Sequence, residues 1–155
     1  MTTLPPTSIS PMYRRLWTAL YPLMDVYVTS FSYKRGMPPD PKGDGGGYVF
    51  DCRALPNPFW VESLRKFTGR DKPVAEFMAA HQTEVEAFLK PIRELVVLSI
   101  KSYAQDGRNR LSVAFGCTGG QHRSVFCAEA LAAFLRASGD CNVELVHCAQ
   151  EFWKT

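Results

Sequence analysis

Gly116-Cys117-Thr118-Gly119-Gly120-Gln121-His122-Arg123-Ser124 is the stretch on which the reading of this chain turns. It follows the apolar run Leu111-Ser112-Val113-Ala114-Phe115 and precedes a helical pattern, which predicts strand, tight loop and helix N-terminus in that order. The first amides of a helix lack internal partners and carry the positive end of its dipole, and adjacent glycines let backbone N–H groups approach a ligand closely. Arg123 adds a planar fork of donors, and Thr118 and Ser124 add hydroxyls, so a phosphate-sized anion suits the loop. Packing a helix on a sheet also produces strand-Gly-Gly-helix junctions, but packing alone does not ask for Thr, Gln, His, Arg and Ser in one loop. Cys117, five residues and Arg123 also repeat the spacing by which cysteine-dependent phosphatases set a thiolate beneath a phosphoryl group. Gly116, however, stands where that signature prefers His.

The 155 residues suffice for one well-buried domain and are too few for two of ordinary size. With 46% hydrophobic and 21% charged residues, the composition is that of an ordinary globular protein. A net charge of +3 permits a polyanionic partner without demanding one. Five cysteines (Cys52, Cys117, Cys127, Cys141 and Cys148) form no Cys-x-x-Cys pair and no cluster at metal-ligand spacing. No disulfide framework, metal site or cofactor is therefore expected, and free thiols suit a reducing compartment. The opening Met1-Thr2-Thr3-Leu4-Pro5-Pro6 is not ordered like a secretory signal, and the longest apolar run is far too short to cross a bilayer. The expectation is a cytoplasmic protein with no membrane partner.

Along the chain, residues 1–11 read as a flexible arm, and 12–155 as a single domain. Ser10-Pro11 looks like an N-cap and first residue of a short helix carrying Met12, Leu16, Leu20 and Leu23. Val26 to Phe31 is the first expected strand, with Lys34 and Arg35 beyond its end, and Tyr48 to Arg53 is the second. Asp51 and Arg53 then share one strand face, either as an ion pair or with Arg53 reaching ligand. The Gly-rich run at 41–47 has no nucleotide-loop pattern and precedes a strand. Asp71 with Pro73 opens a helix, Thr83 and Glu86 have capping-box spacing for a long one that contains Pro91, and His81 falls between them as an exposed linker. Leu111 to Phe115, a helix ending near Gly139, and a strand through Val143, Leu145 and Val146 complete the pattern. The fold class is α/β, a three-layer-like domain with a mainly parallel or mixed sheet of about four strands flanked by helices.

Four phrases then occur in order: Ser30-Phe31-Ser32-Tyr33-Lys34-x-Gly36, Phe50-Asp51-Cys52-Arg53-Ala54-Leu55-Pro56-Asn57-Pro58, Thr68-Gly69-x-Asp71-x-Pro73-Val74 and Gly116-Cys117-Thr118-Gly119-Gly120-x-His122-Arg123-Ser124-Val125. Together they resemble the C-terminal domain of the bacterial RNase adapter protein RapZ and its relatives, over about residues 25–148. The resemblance implies an α/β domain that senses the phosphosugar glucosamine-6-phosphate and binds small regulatory RNA. By position, Lys34, Thr118, Gly119, His122 and Arg123 match the family's phosphosugar pocket.

Three departures qualify what carries over. The adapter's N-terminal nucleotide-binding domain has no counterpart in these 155 residues, so P-loop binding of ATP or GTP is not expected to transfer. Phe59 stands where the family can hold a ligand-contacting His. The end of the chain lacks the Arg/Lys-rich tail on which RNA affinity depends. The glycine-rich run at 41–47 is an insertion relative to the family.

The expected function is phosphate or phosphosugar binding, with Lys34, Arg53, Thr118, Gly119, Gly120, Gln121, His122, Arg123 and Ser124 as ligand-binding residues and RNA as a further partner. The alternative is a phosphomonoesterase with Cys117 as nucleophile, its acid drawn from Asp40, Asp44 or Asp51. The adapter's relatives assemble, so a homo-oligomer is also expected, with aromatics such as Trp153 marking a contact.

Overall fold

Strands β1 (Met24–Ser32), β2 (Tyr48–Asp51), β3 (Arg110–Cys117) and β4 (Cys141–His147) form one sheet in the order β2-β3-β1-β4, and every pairing is parallel. The computed structural model describes residues 10–20, 23–40, 43 and 46–154, excluding the side chains of 14 and 17–20. The arm before Ser10 and positions 41, 42, 44 and 45 of the glycine-rich stretch thus lie outside the described residues.

The register explains which face is buried. Val26 lies opposite Leu111 and Val143, and Val28 opposite Val113 and Leu145, so the apolar members of the period-two pattern stack on one face. Helices α2 (Lys72–Ala80), α3 (Gln82–Gln105) and α4 (Arg123–Ser138) supply the other side of this core through Met78, Leu89, Val96 and Leu131, among others. Each such side chain contributes roughly 1.5–3 kcal/mol by leaving water. Tyr48 ties the edge strand to α3, its hydroxyl lying 2.7 Å from Ser99 Oγ. On the opposite face Tyr27, Thr29, Ser112 and Ala114 line a groove bordered by Met37 to Pro39 and by Gly46 and Gly47.

Helix α1 (Pro11–Leu20) begins as its N-cap predicts, with Ser10 Oγ accepting from the Tyr13 amide at 3.4 Å. Two residues of its apolar stripe lie in water: Met12 and Leu16 are 66% and 56% exposed.

Three local expectations change. The second strand stops at Asp51 because that carboxylate accepts from the Arg53 amide and caps a 3-10 turn over Cys52–Ala54. Asp51 and Arg53 therefore meet across a turn and not along a strand face. The long helix starts at Gln82 without a capping box, and Glu86 pairs instead with Arg93 at 2.8 Å. His81 is half-buried between the two helices, with Nδ1 2.9 Å from the Phe77 carbonyl and the ring against Phe77, so it is no exposed linker.

Parallel order brings the carboxyl ends of all four strands to one edge, where open α/β sheets bind ligands. Tyr33 to Arg35, Asp51 to Arg53, Thr118 to His122 and Cys148 to Gln150 all leave from that edge. The Thr68-Gly69-x-Asp71 turn fastens α4 there. Asp71 accepts from the Thr68 amide and hydroxyl at 2.6 and 2.9 Å, and the Gly69 amide donates to the Gln121 carbonyl at 2.8 Å. A Cβ on Gly69 would fall 2.3 Å from both His122 O and Phe126 N. We expect Gly69→Ala to destabilise the fold by about 1–3 kcal/mol in urea unfolding. Gly119→Ala, which points into open space, should leave stability nearly unchanged.

Candidate functional site

Residues 118–122 join β3 to α4, and none of the amides of Gly119 through Arg123 donates to a backbone carbonyl among the described residues. Gly120 sits at φ +65°, where a Cβ would meet Ala149 and Ser32 at 2.8–2.9 Å, so glycine lets the loop fold back against β1 and the β4 exit. The Ser32 hydroxyl completes this fit by donating to the Thr118 carbonyl at 2.8 Å.

Beside the loop is a cavity of about 540 Å³. Its cations are Lys34, Arg35, Arg65, Arg123 and Lys154, and no Asp or Glu is among its lining residues. Arg123 is 6% exposed, so a full charge lies inside the protein. Nη1 of Arg123 donates to the carbonyls of Arg53 and Leu55 at 2.9 and 3.2 Å, while its buried Nε has no acceptor among the described residues. One edge of the guanidinium is thus fixed to the protein, and the other lacks a partner for a buried donor.

Cys117 and Ser124 stand side by side beneath the loop, Sγ 3.1 Å from Oγ, both buried. All five cysteines are free thiols. Burial lifts the thiols of Cys52 and Cys141, the latter to about 11. His122 is 7% exposed, and its Nε2 donates to the Leu64 carbonyl at 3.2 Å. Burial holds its pKa below the usual imidazole range, against the opposing pull of the Leu64 and Phe67 carbonyls, and the neighbouring Arg123 charge acts in the same direction as burial.

Gln121 binds the protein to itself. Its Nε2 lies within 3.1 Å of the carbonyls of Arg65, Phe67 and Lys154, and its Oε1 accepts from the Lys154 amide at 3.0 Å. Trp153 lies alongside, half-buried, and its indole N–H donates to the Gly120 carbonyl at 2.8 Å. Trp153 is therefore no fully exposed aromatic: it straps the loop. His147 supports this strap, with its ring 5.5 Å from that of Trp153 and its nitrogens bridging Ser30 and Glu129 at 2.7 and 2.9 Å.

The expected ligand set divides on inspection. Lys34, Thr118, Gly119, Gln121, His122 and Arg123 line the cavity together with Cys117. Gly120 and Ser124 shape the loop from beneath. Arg53 is not among the lining residues: it forms a bidentate pair with Asp51 at 2.7–3.0 Å, lies over the Tyr33 ring, and offers only its carbonyl to Arg123. The hydrogen bonds from Arg53 hold the Asp51 carboxyl below the usual range. Neither Asp51 nor Asp40 lines the cavity, and Asp44 lies outside the described residues. Arg65, Trp60, Phe152 and Lys154 are cavity residues that the sequence did not single out as ligand-binding; clustered Arg, Lys and aromatics near the chain end and after Asn57-Pro58 were the available signal. Among the described residues no helix is long and apolar enough to cross a membrane, and no cluster of His, Cys, Asp and Glu could hold a metal.

The RapZ C-terminal domain family matches residues 24–151. The chain belongs to that family. Similar proteins include one named nucleotide-binding protein in Bifidobacterium adolescentis, 45% identical over 116 residues, which are 75% of this chain and 36% of that relative. Nucleotide-binding proteins of Cereibacter sphaeroides and Laribacter hongkongensis are 46% and 45% identical over 74% and 76% of the chain. The chain spans only 36–40% of the length of these three relatives. Within the RapZ C-terminal domain frame, the four sequence phrases become the β1 exit, the Asp51 turn, the Gly69 clasp and the β3–α4 loop.

Neutral His122 gives the domain a stability that depends on pH. Below the ordinary value near 6.5, the unfolded chain takes up a proton that the folded site resists. Stability should therefore fall as the pH drops from about 7 towards 5, and His122→Gln should flatten that fall in urea midpoints measured across the range.

Proposed function

We propose that this domain binds a phosphorylated small molecule, with the phosphate on the Thr118–Arg123 loop. The observation that carries the reading is the buried Arg123 guanidinium, tied by Nη1 and left without an acceptor at Nε, beside amides that also lack backbone acceptors. A tetrahedral oxyanion supplies several acceptor oxygens to such donors at once. Lys34 and Lys154 add charge at the cavity, and Thr118 adds a hydroxyl. His122, held neutral, donates a hydrogen bond inward and so serves as a wall of the site, while Gln121 keeps the loop in shape. A phosphosugar is the ligand that the family resemblance implies.

Cysteine-based hydrolysis is the second reading, favoured by the position of Cys117 on the cavity with Ser124 Oγ at 3.1 Å. A lining without carboxylates weighs against it, because phosphate-ester cleavage needs a proton for the leaving oxygen. Binding of RNA, the other role implied by the resemblance, predicts a gel shift that weakens steeply with salt.

Thermal shift and calorimetry with inorganic phosphate and hexose 6-phosphates test the main reading. The wild-type chain should gain melting temperature with phosphate, Arg123→Lys should lose at least about tenfold in affinity, and Lys34→Ala less. Cys117→Ser should bind normally; aryl-phosphate turnover by wild type that disappears in this variant would instead establish hydrolysis.

A further inference from the structure

We infer that Cys117 and Cys52 form a reversible oxidation site, in which hydrogen peroxide entering the cavity converts Cys117 to a sulfenic acid and Cys52 closes a disulfide on it. This does not depend on what the cavity binds.

Sheet register brings the two thiols together. Asp51 lies opposite Gly116 in the parallel pairing of β2 with β3, so the next residues, Cys52 and Cys117, leave the sheet as neighbours. Paired strands run about 4.8 Å apart, within the roughly 4.4–6.8 Å of Cα separation that a disulfide spans. Both side chains point to the helix-covered face, as do Phe50 and Phe115 two residues earlier, whose rings lie 5.7 Å apart. Cys127 completes the group from α4, one turn after Arg123, where its thiol faces that of Cys52.

Access separates the roles. Cys117 is 3% exposed but lines the cavity, in company with Lys34, Arg35, Arg65, Arg123 and Lys154. Reactive thiols occur in electropositive surroundings of this kind, because the thiolate is the form that attacks. Cys52 and Cys127 are 0% exposed, and neither is among the lining residues. Burial first, and then the neighbouring Cys127 thiol, hold Cys52 well above the usual thiol range, so an oxidant meets Cys117 first. The other two cysteines lie elsewhere: Cys141 opens β4 at the opposite edge of the sheet, and β1 stands between β3 and the β4 exit that carries Cys148.

The chemistry balances in two steps. Cys117 Sγ bonds to one peroxide oxygen as the O–O bond breaks, giving a sulfenic acid and water. Cys52 Sγ then attacks Cys117 Sγ: the S–S bond forms, the S–O bond breaks, and the hydroxyl leaves with the Cys52 proton as a second water. One peroxide is reduced, and two thiols are oxidised. The bridge draws Cys117 away from Ser124 Oγ, now 3.1 Å off, and ties it to the turn whose Arg53 and Leu55 carbonyls hold Arg123. Oxidation therefore acts on the loop from beneath.

Peroxide treatment of the folded 155-residue chain, followed by alkylation, trypsin and mass spectrometry, tests this. Cleavage after Arg53, Arg123 and Arg136 puts Cys52, Cys117 and Cys127 on separate peptides. The expected product is a Cys52–Cys117 linked peptide that dithiothreitol reverses. Cys52→Ala should lose the bridge and leave Cys117 as a sulfenic acid captured by dimedone. Cys117→Ser should lose both products, and Cys148→Ser neither, with urea midpoints showing that each variant is folded. The wild-type map decides even where a core variant is unstable. The site is overturned if Cys148 alone is oxidised, if Cys117 oxidises without a bridge, if Cys52 or Cys117 joins any other cysteine, or if the bridge forms only in urea.

Discussion

A guanidinium kept almost wholly out of water is the constraint around which this domain is built. Arg123 cannot lose its proton, and a buried cation without compensation costs several kcal/mol. Two carbonyls from the turn after β2 meet part of that need, and they do so only because Asp51 and Cys52 bend the chain there into a 3-10 turn. Asp51, the nearby carboxylate that senses Arg123, is itself committed to Arg53. The site thus retains a positive charge with no anionic partner among the described residues, and the proposed oxyanion ligand is the group that would balance it.

Keeping that charge in place requires the loop to be stiff, and stiffness comes from residues far apart in sequence. Gln121 ties the loop to Arg65 and Phe67 on one side and to Lys154 on the other. Trp153 then closes the strap through the Gly120 carbonyl, and Gly69 presses against the first turn of α4 with no room for a methyl group. A buried amide with all its partners satisfied is a fastening, since breaking any one bond leaves an unpaired polar group inside. Donors fixed before the ligand arrives need little reordering, so more of their hydrogen-bond energy appears as affinity.

The sheet and its edge were legible from the chain because period-two apolar runs and a strand-to-helix glycine loop are local signals. Leu111 to Phe115 and the Gly139 helix stop were read from neighbours alone, and the family phrases marked the loop itself. What escaped depended on contacts across the sequence. Trp153 looks like a surface aromatic until β4 is seen to run beside β1, which brings the chain end over Gly120. Arg53 reads either as structural or as ligand-binding, because only the turn geometry shows its fork filled by Asp51. Thr83 and Glu86 satisfy the capping-box spacing, but Glu86 turns instead to Arg93, two turns further along the same helix.

Attraction and selection are supplied by different parts of the cavity. Five cations and no carboxylate draw in any small polyanion, and this attraction weakens as salt rises. Charge of that kind does not distinguish one phosphate ester from another. Discrimination falls to groups whose bonding is already fixed: a His122 held to Leu64, a Gln121 whose Oε1 accepts from the Lys154 amide, and an aromatic turn locked by Asn57 and Arg65. Groups held in this way present a fixed pattern of donors and acceptors, and a ligand that does not match that pattern loses hydrogen bonds to water that it cannot replace. The same internal bonds that hold the loop in shape therefore set what it selects.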